Sequence, residues 1–288
     1  IYADSAVFRN NRIGLDFAPF QNTHFILGTY QNDLSFFSRC KFIADGGFGE
    51  DYDDFYCMVS MRGTNGIRFN GCEFLNAYPN GQLTYAHQKR AGIIARDAGF
   101  QVAGICLTNP LYPCEAYRPS KITGFAIGIS AGNVGSVKPF SVTNTFFDQN
   151  ARGIVAQQTN NIYIANDTFI VGMPLPELND VPFLGVEVIR GTGYKIEENL
   201  LEIAGQLPGN AQAVGILINN TGDEPNLVYK NDLRGFHCAN LSNGDNRGMA
   251  DYEGLQYECN KNKANGFDFA VKGLPTGQIG IAANQGVS

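Results

Sequence analysis

Two short patterns recur along this 288-residue chain, and their spacing limits what it can fold into. One is a glycine followed by alternating apolar residues: GIRFNGCEF from Gly66, GIIAR from Gly92, GIVAQ from Gly153, GVEVIR from Gly185 and GILINN from Gly215. The other is an alternating run that reaches Asn and then an aromatic residue or Leu: FSVTNTFF from Phe140, IYIANDTF from Ile162, YKIEENLL from Tyr194 and LVYKNDL from Leu227. Gly153 and Gly185 lie 32 residues apart, as do Asn199 and Asn231; Gly185 and Gly215 lie 30 apart, and Phe146 and Phe169 lie 23 apart. Period-2 runs returning at such intervals predict an all-β fold, a right-handed parallel β-helix with loops of unequal length between its strands. The period implies roughly nine to eleven rungs in a single domain spanning 1–288.

One rung cannot bury its apolar side alone, whereas stacked rungs bury it continuously. The alternation points Ile154 with Ala156, and Ile162 with Ile164, toward the interior. Glycine permits the sharp corners that need a positive φ. Asparagine tolerates such corners and can hydrogen-bond to its equivalents above and below. Asn160, Asn161, Asn166, Asn199 and Asn231 are the expected corner or ladder positions. Cys40 in RCKF and Cys72 in GCEF, again 32 residues apart, are expected to stack at one inward position of neighbouring rungs. Segments 44–56, 106–120 and 172–183 read as protruding loops, and 81–92 as a short helix between rungs.

Composition narrows the class further. There are 34 glycines and 29 asparagines, while charged residues make up only 17%. Those figures favour tight turns over long surface helices and exclude a helical bundle or coiled coil. The net charge of −6 leaves no basic excess to neutralise phosphates, so nucleic acid is not an expected partner. No apolar run reaches the length of a membrane span. The chain opens at Ile1 without a methionine or basic leader, which predicts a mature or excised piece of a longer precursor. Seven cysteines leave at least one unpaired within a monomer. Cys106 and Cys114 flank a loop with two prolines and read as a disulfide of an exported protein, or else as two separate buried thiols.

Candidate chemistry is sparse. Asp45, Glu50, Asp51, Asp53 and Asp54 put five carboxylates within ten residues, which reads either as a calcium-binding loop or as a solvated acidic loop. Calcium is the one cofactor this pattern suggests. Tyr52, Tyr56, Tyr112 and Tyr117 lie in or beside the long loops and could stack on sugar rings or cover the solenoid's side. Asp148 with Arg152, and Asp97 with Arg96, are the nearest local ion pairs. The three histidines have no zinc spacing. The polygalacturonase signatures NTD, GHG and RIK are absent.

Several longer segments carry a family likeness: GIRFNGCEFLNA at 66–77, GIIARDAGFQVAGIC at 92–106 with the proline-containing loop to Cys114, ITGFAIGISA at 122–131, SVTNTFFDQNARGIVAQQTNNIYIANDTF at 141–169, AVGILINNTGDEPNLVYKNDLRGF at 213–236 and GLQYECNKN at 254–262. In these the chain resembles the β-helical passenger regions of large Bacteroidetes proteins that carry a C-terminal type IX secretion sorting domain. The resemblance implies an exported, surface-attached or released protein, and carries over no catalytic residues. A repeat without a catalytic constellation predicts a structural or adhesive role, with other domains of its precursor or further copies stacked end to end as partners. The alternative is a polysaccharide-binding or polysaccharide-cleaving β-helix, a lyase or glycoside hydrolase.

Overall fold

The computed structural model describes residues 1–19, 23–26, 29–32, 34–45, 55–77, 89–108, 114–172, 183–205, 207, 211–222, 224–248, 253–273 and 281; for 23–26 and 29–32 it describes the backbone alone. Three parallel sheets of nine strands each form the body. Sheet 1 runs from Tyr2–Asp4 to Gly254–Glu258, sheet 2 from Val7–Arg9 to Lys261–Lys263, and sheet 3 from Ile13–Phe17 to Phe267–Lys272. Each turn of chain gives one strand to each sheet in that order, so the fold is a right-handed parallel β-helix of nine rungs.

In-register stacking turns the sequence repeat into columns of like residues. Inside sheet 2 the column reads Phe8, Phe42, Phe74, Ile122, Phe147, Phe169, Leu201, Leu233. Its rings lie face to face, with centroids 4.7 Å apart for Phe42–Phe74 and 4.5 Å for Phe147–Phe169. Each such side chain, buried, contributes about 1.5–3 kcal/mol. Facing this column, sheet 3 carries Gly92, Gly128, Gly153, Gly185 and Gly215, one before each core residue of the series Ile93, Ile129, Ile154, Val186, Ile216. A methyl on Gly185 would lie 2.6 Å from the Gly215 carbonyl oxygen and 2.5 Å from Leu201 Cδ2. On Gly153 it would lie 2.5 Å from the Gly185 oxygen and 2.6 Å from Phe169 Cδ1. The glycine repeat therefore records close packing of one sheet's backbone on another sheet's rings. Gly66 belongs elsewhere: with φ of 75° it turns the corner into Ile67–Asn70.

Between sheets 1 and 2 the chain turns through one left-handed residue and then a buried position whose side chain bonds to main chain. Ser5, Arg39, Gly71, Asn144, Asn166, Glu198, Lys230 and Cys259 are the left-handed residues. From the second rung onward the position before each sheet 2 strand forms a single column, Cys40, Cys72, Ser120, Thr145, Asp167, Asn199, Asn231 and Asn260, with Ser120 reached through the projection at 104–119 and Ala6 in the equivalent place of the first rung. Asn199 Nδ2 donates to the Ile164 carbonyl at 3.1 Å and to Asn231 Oδ1 at 2.9 Å. Asn231 Nδ2 repeats this with the Ile196 carbonyl at 2.9 Å and Asn260 Oδ1 at 3.0 Å. Ser120 Oγ donates to the Ala103 carbonyl at 2.6 Å, and Cys72 Sγ to that of Phe37 at 3.1 Å. Cys40 and Cys72 are thus free, buried thiols standing where later rungs place amides. Burial pushes the Cys72 thiol up to about 12. Asn166 is the left-handed corner residue and Asp167 the ladder member, one place later than the sequence suggests.

Other expectations resolve as follows. Arg152 pairs with Glu187, at 3.6 Å, rather than with Asp148. Asp97 accepts the main-chain N–H groups of Val134 and Gly135, closing a loop, rather than pairing with Arg96. Cys106 and Cys114 form a disulfide with Cα atoms 5.8 Å apart. It closes a projection whose base, Ile105–Cys106 against Tyr117–Arg118, is antiparallel. The helix read at 81–92 falls mostly outside the described residues. Toward the C-terminal end the interior turns polar: Asn240 and Ser242 take inward places in sheet 3, and Asn262 follows Leu233 in sheet 2. Asn240 Nδ2 donates to Asn262 Oδ1 at 3.1 Å.

Gly185→Ala is expected to destabilise the protein by about 1–3 kcal/mol through overpacking. A methyl on Gly135 meets nothing within 4 Å, so Gly135→Ala should be near neutral. Urea midpoints of the two variants check this; equal midpoints would refute the packing argument.

Candidate functional site

Parallel register acts on outward residues as it does on the core. On the outer side of sheet 1, Phe36, Arg68, Gln101, Ser141, Tyr163 and Lys195 succeed one another, one per rung. They stand there because each alternates with an inward residue: Phe37, Phe69, Val102, Val142, Ile164 and Ile196 are all buried. The Arg68 guanidinium lies over the Phe36 ring, 5.4 Å from its centroid. Tyr163 is 37% exposed, and its hydroxyl donates to Glu197 Oε1 at 2.8 Å. Burial first, and then the Glu197 carboxylate, push the Tyr163 phenol up to about 12. Asn65, Arg68, Gln101, Ser141, Asn161 and Tyr163 line a shallow groove of about 340 Å³ along this strip. The groups on offer are a guanidinium, carboxamides, a hydroxyl, a phenol and aromatic faces.

Sheet 3 presents a different outer side. Glu187 points outward yet is only 8% exposed, and its register neighbours on the adjacent rungs are Val155 and Leu217. Burial raises its carboxyl and Arg152 partly restores it. Glu187 Oε2 is withdrawn from solvent and lacks a hydrogen-bond partner among the described residues. A covered acid of this kind cannot meet a polymer on the surface.

The residues singled out from sequence fall in scattered places. Asp45 is engaged by Arg9 and by Asn10 Nδ2, the latter at 2.9 Å, and Arg9 holds its carboxyl below the usual range. Glu50, Asp51, Tyr52, Asp53, Asp54 and Tyr112 lie outside the described residues. No group of three or more possible metal ligands occurs among the described residues. Tyr56 is half-buried beneath the Arg90 guanidinium, 5.3 Å from its ring centroid. Tyr117 is 44% exposed on the disulfide-closed projection, which leaves the corner of the rung that carries Gln101. Sequence reasoning missed Phe36, Arg68, Gln101, Ser141, Tyr163 and Lys195. Their signal was the outward phase of the same runs whose inward phase defined the rungs.

No protein-family model matches the chain, and no curated protein matches it. Among solved structures, one described as a glycoside hydrolase aligns with a TM-score of 0.47 and 13% identity, covering 75% of this chain and 38% of that one. This chain therefore spans well under half of that protein's length. No helix of the described residues is long and apolar enough to cross a membrane.

Glu197→Gln is expected to let Tyr163 ionise at lower pH than in the parent, because the neutral amide no longer opposes phenolate charge. Ultraviolet titration compared with Tyr163→Phe assigns the step; an unchanged step would show that burial alone sets it.

Proposed function

We propose that this chain is an exported, surface-associated β-helix that holds an extended acidic polysaccharide along the outer side of sheet 1. One observation carries the reading: the six residues from Phe36 to Lys195 form a single register column. Rungs repeat at about 4.8 Å, so a linear polymer lying on the column meets a new polar or aromatic group at each step. A compact ligand instead favours an enclosed pocket. Arg68 and Lys195 suit carboxylate-bearing units, and the rings of Phe36 and Tyr163 suit the apolar faces of sugars. The disulfide supports an exported setting. Such a strip gives adhesion without requiring chemistry.

Stacking of copies end to end is not part of this proposal. Continuing the register from the last rung to another first rung would set Glu258 against Asp4 and Lys263 against Arg9, since each pair ends one column. Like charges directly opposite are destabilising. The polar residues inside the last rungs also make a poor seat for Phe8.

Affinity electrophoresis in gels containing polygalacturonate or alginate is expected to retard the protein. Arg68→Ala and Tyr163→Ala should each weaken binding about tenfold, equivalent to about 1.4 kcal/mol, with the fold intact by circular dichroism. Absence of retardation in any acidic polysaccharide, or full retardation of the double variant, would contradict the reading. Absorbance of unsaturated product in the same mixtures separates holding from cleavage.

A further inference from the structure

One member of the buried ladder differs chemically from its neighbours. In Asn199, Asn231 and Asn260 the side-chain oxygen accepts the main-chain N–H of the preceding rung's ladder residue, while Nδ2 donates to a carbonyl of that rung. Asp167 occupies the same column and keeps half of this pattern. Its Oδ1 accepts the Thr145 N–H at 2.7 Å, and its own N–H donates to Asn199 Oδ1 at 2.9 Å. Its other oxygen, Oδ2, replaces the donating nitrogen. The register makes Val142 the counterpart of Ile164 and Ile196, whose carbonyls accept from Asn199 and Asn231. Two bare acceptors facing each other would repel. Oδ2 is buried with no partner among the described residues, and Asp167 as a whole is 1% exposed.

We propose that Asp167 is kept as the neutral carboxylic acid and donates its O–H toward the Val142 carbonyl, making this rung a pH-sensitive joint in the solenoid. Among the described residues no cation offsets a negative charge here. Around the acid, Thr145 lies on one side and Asn199 on the other, and Tyr163, Glu197 and Glu198 are the nearby titratable groups, the last two of like sign. Burial, only partly opposed by the Thr145 N–H, holds the carboxyl well above the usual range.

The sign of the effect follows. A carboxyl whose folded pKa exceeds its unfolded value contributes its full stability below the unfolded value. That contribution is lost as pH rises toward the folded value. The solenoid should therefore be firmest at this joint in acid and loosen as the medium approaches neutrality.

Asp167→Asn completes the amide ladder and removes the titration. Urea midpoints of the parent and this variant should coincide near pH 4 and separate steadily toward pH 8, the variant becoming the more stable. The parent at neutral pH should also show the infrared carbonyl band of a protonated carboxyl, lost in the variant. Parallel stability profiles, or absence of that band from the parent at neutral pH, would overturn the proposal. If the variant fails to fold, the infrared spectrum of an Asp148→Asn/Glu187→Gln variant decides: a band that persists at neutral pH is that of Asp167, and its loss overturns the proposal.

Discussion

Everything in this molecule depends on the parallel main-chain ladder that fixes each rung against the next without a slip. A one-residue shift in a strand exchanges its inward and outward side chains. A constant register keeps Phe over Phe in sheet 2, glycine against those rings in sheet 3, and, from the second rung onward, a hydrogen-bonding side chain at the turn from sheet 1 to sheet 2. The turn column then returns the benefit. Each Asn, Ser or Cys in it satisfies main-chain groups that the corner leaves without a strand partner, and unpaired buried groups of that kind are costly. Backbone pairing and side-chain ladder thus specify the same alignment.

The repeat was legible because its strongest markers are steric. Gly153, Gly185 and Gly215 recur where a Cβ would strike both the next rung's carbonyl and a side chain of sheet 2. The Cys106–Cys114 disulfide was suggested by the short loop with two prolines between them, with two separate thiols as the alternative that the structure removes. The ladder was legible only in part, since Asn144 and Asn166 sit at left-handed corners while Asn199 and Asn231 sit one place later. Asparagine suits both places, and the sequence does not mark which it fills. Cys40 and Cys72 showed their equivalence, but not that they stand in the column later filled by asparagines. The outer strip was the least legible feature. Arg68, Gln101, Ser141, Tyr163 and Lys195 are unremarkable singly and become a site only when register aligns them.

The outer faces differ because their neighbours differ. Sheet 1 is entered by short corners at Asn161 and Gly193, beside the groove that Asn65, Gln101 and Tyr163 line, while the disulfide-closed projection leaves its other border after Ala103. Sheet 3 carries apolar outward residues and a covered Glu187. The two outer sides thus differ in chemistry: the sheet 1 strip is polar and aromatic, whereas Ile94, Val155 and Leu217 give sheet 3 an apolar column in which Glu187 is covered. The polar interior near Asn240, Ser242 and Asn262 sets the eighth rung and one column of the ninth apart from the aromatic rungs before them, while Leu255, Tyr257, Phe269 and Val271 keep the rest of the last rung apolar.

The claim that outward residues from successive rungs form one straight track is tested most directly by a distance. Nitroxide labels at positions 68 and 195, with the exposed Cys259 replaced by Ser, span four rung steps. At the rung repeat their backbone separation is about 19 Å. Pulsed electron paramagnetic resonance should give one narrow distribution near that value, broadened only by the label linkers. A maximum beyond about 30 Å, or two separate populations, would mean that the rungs do not stack in the register described.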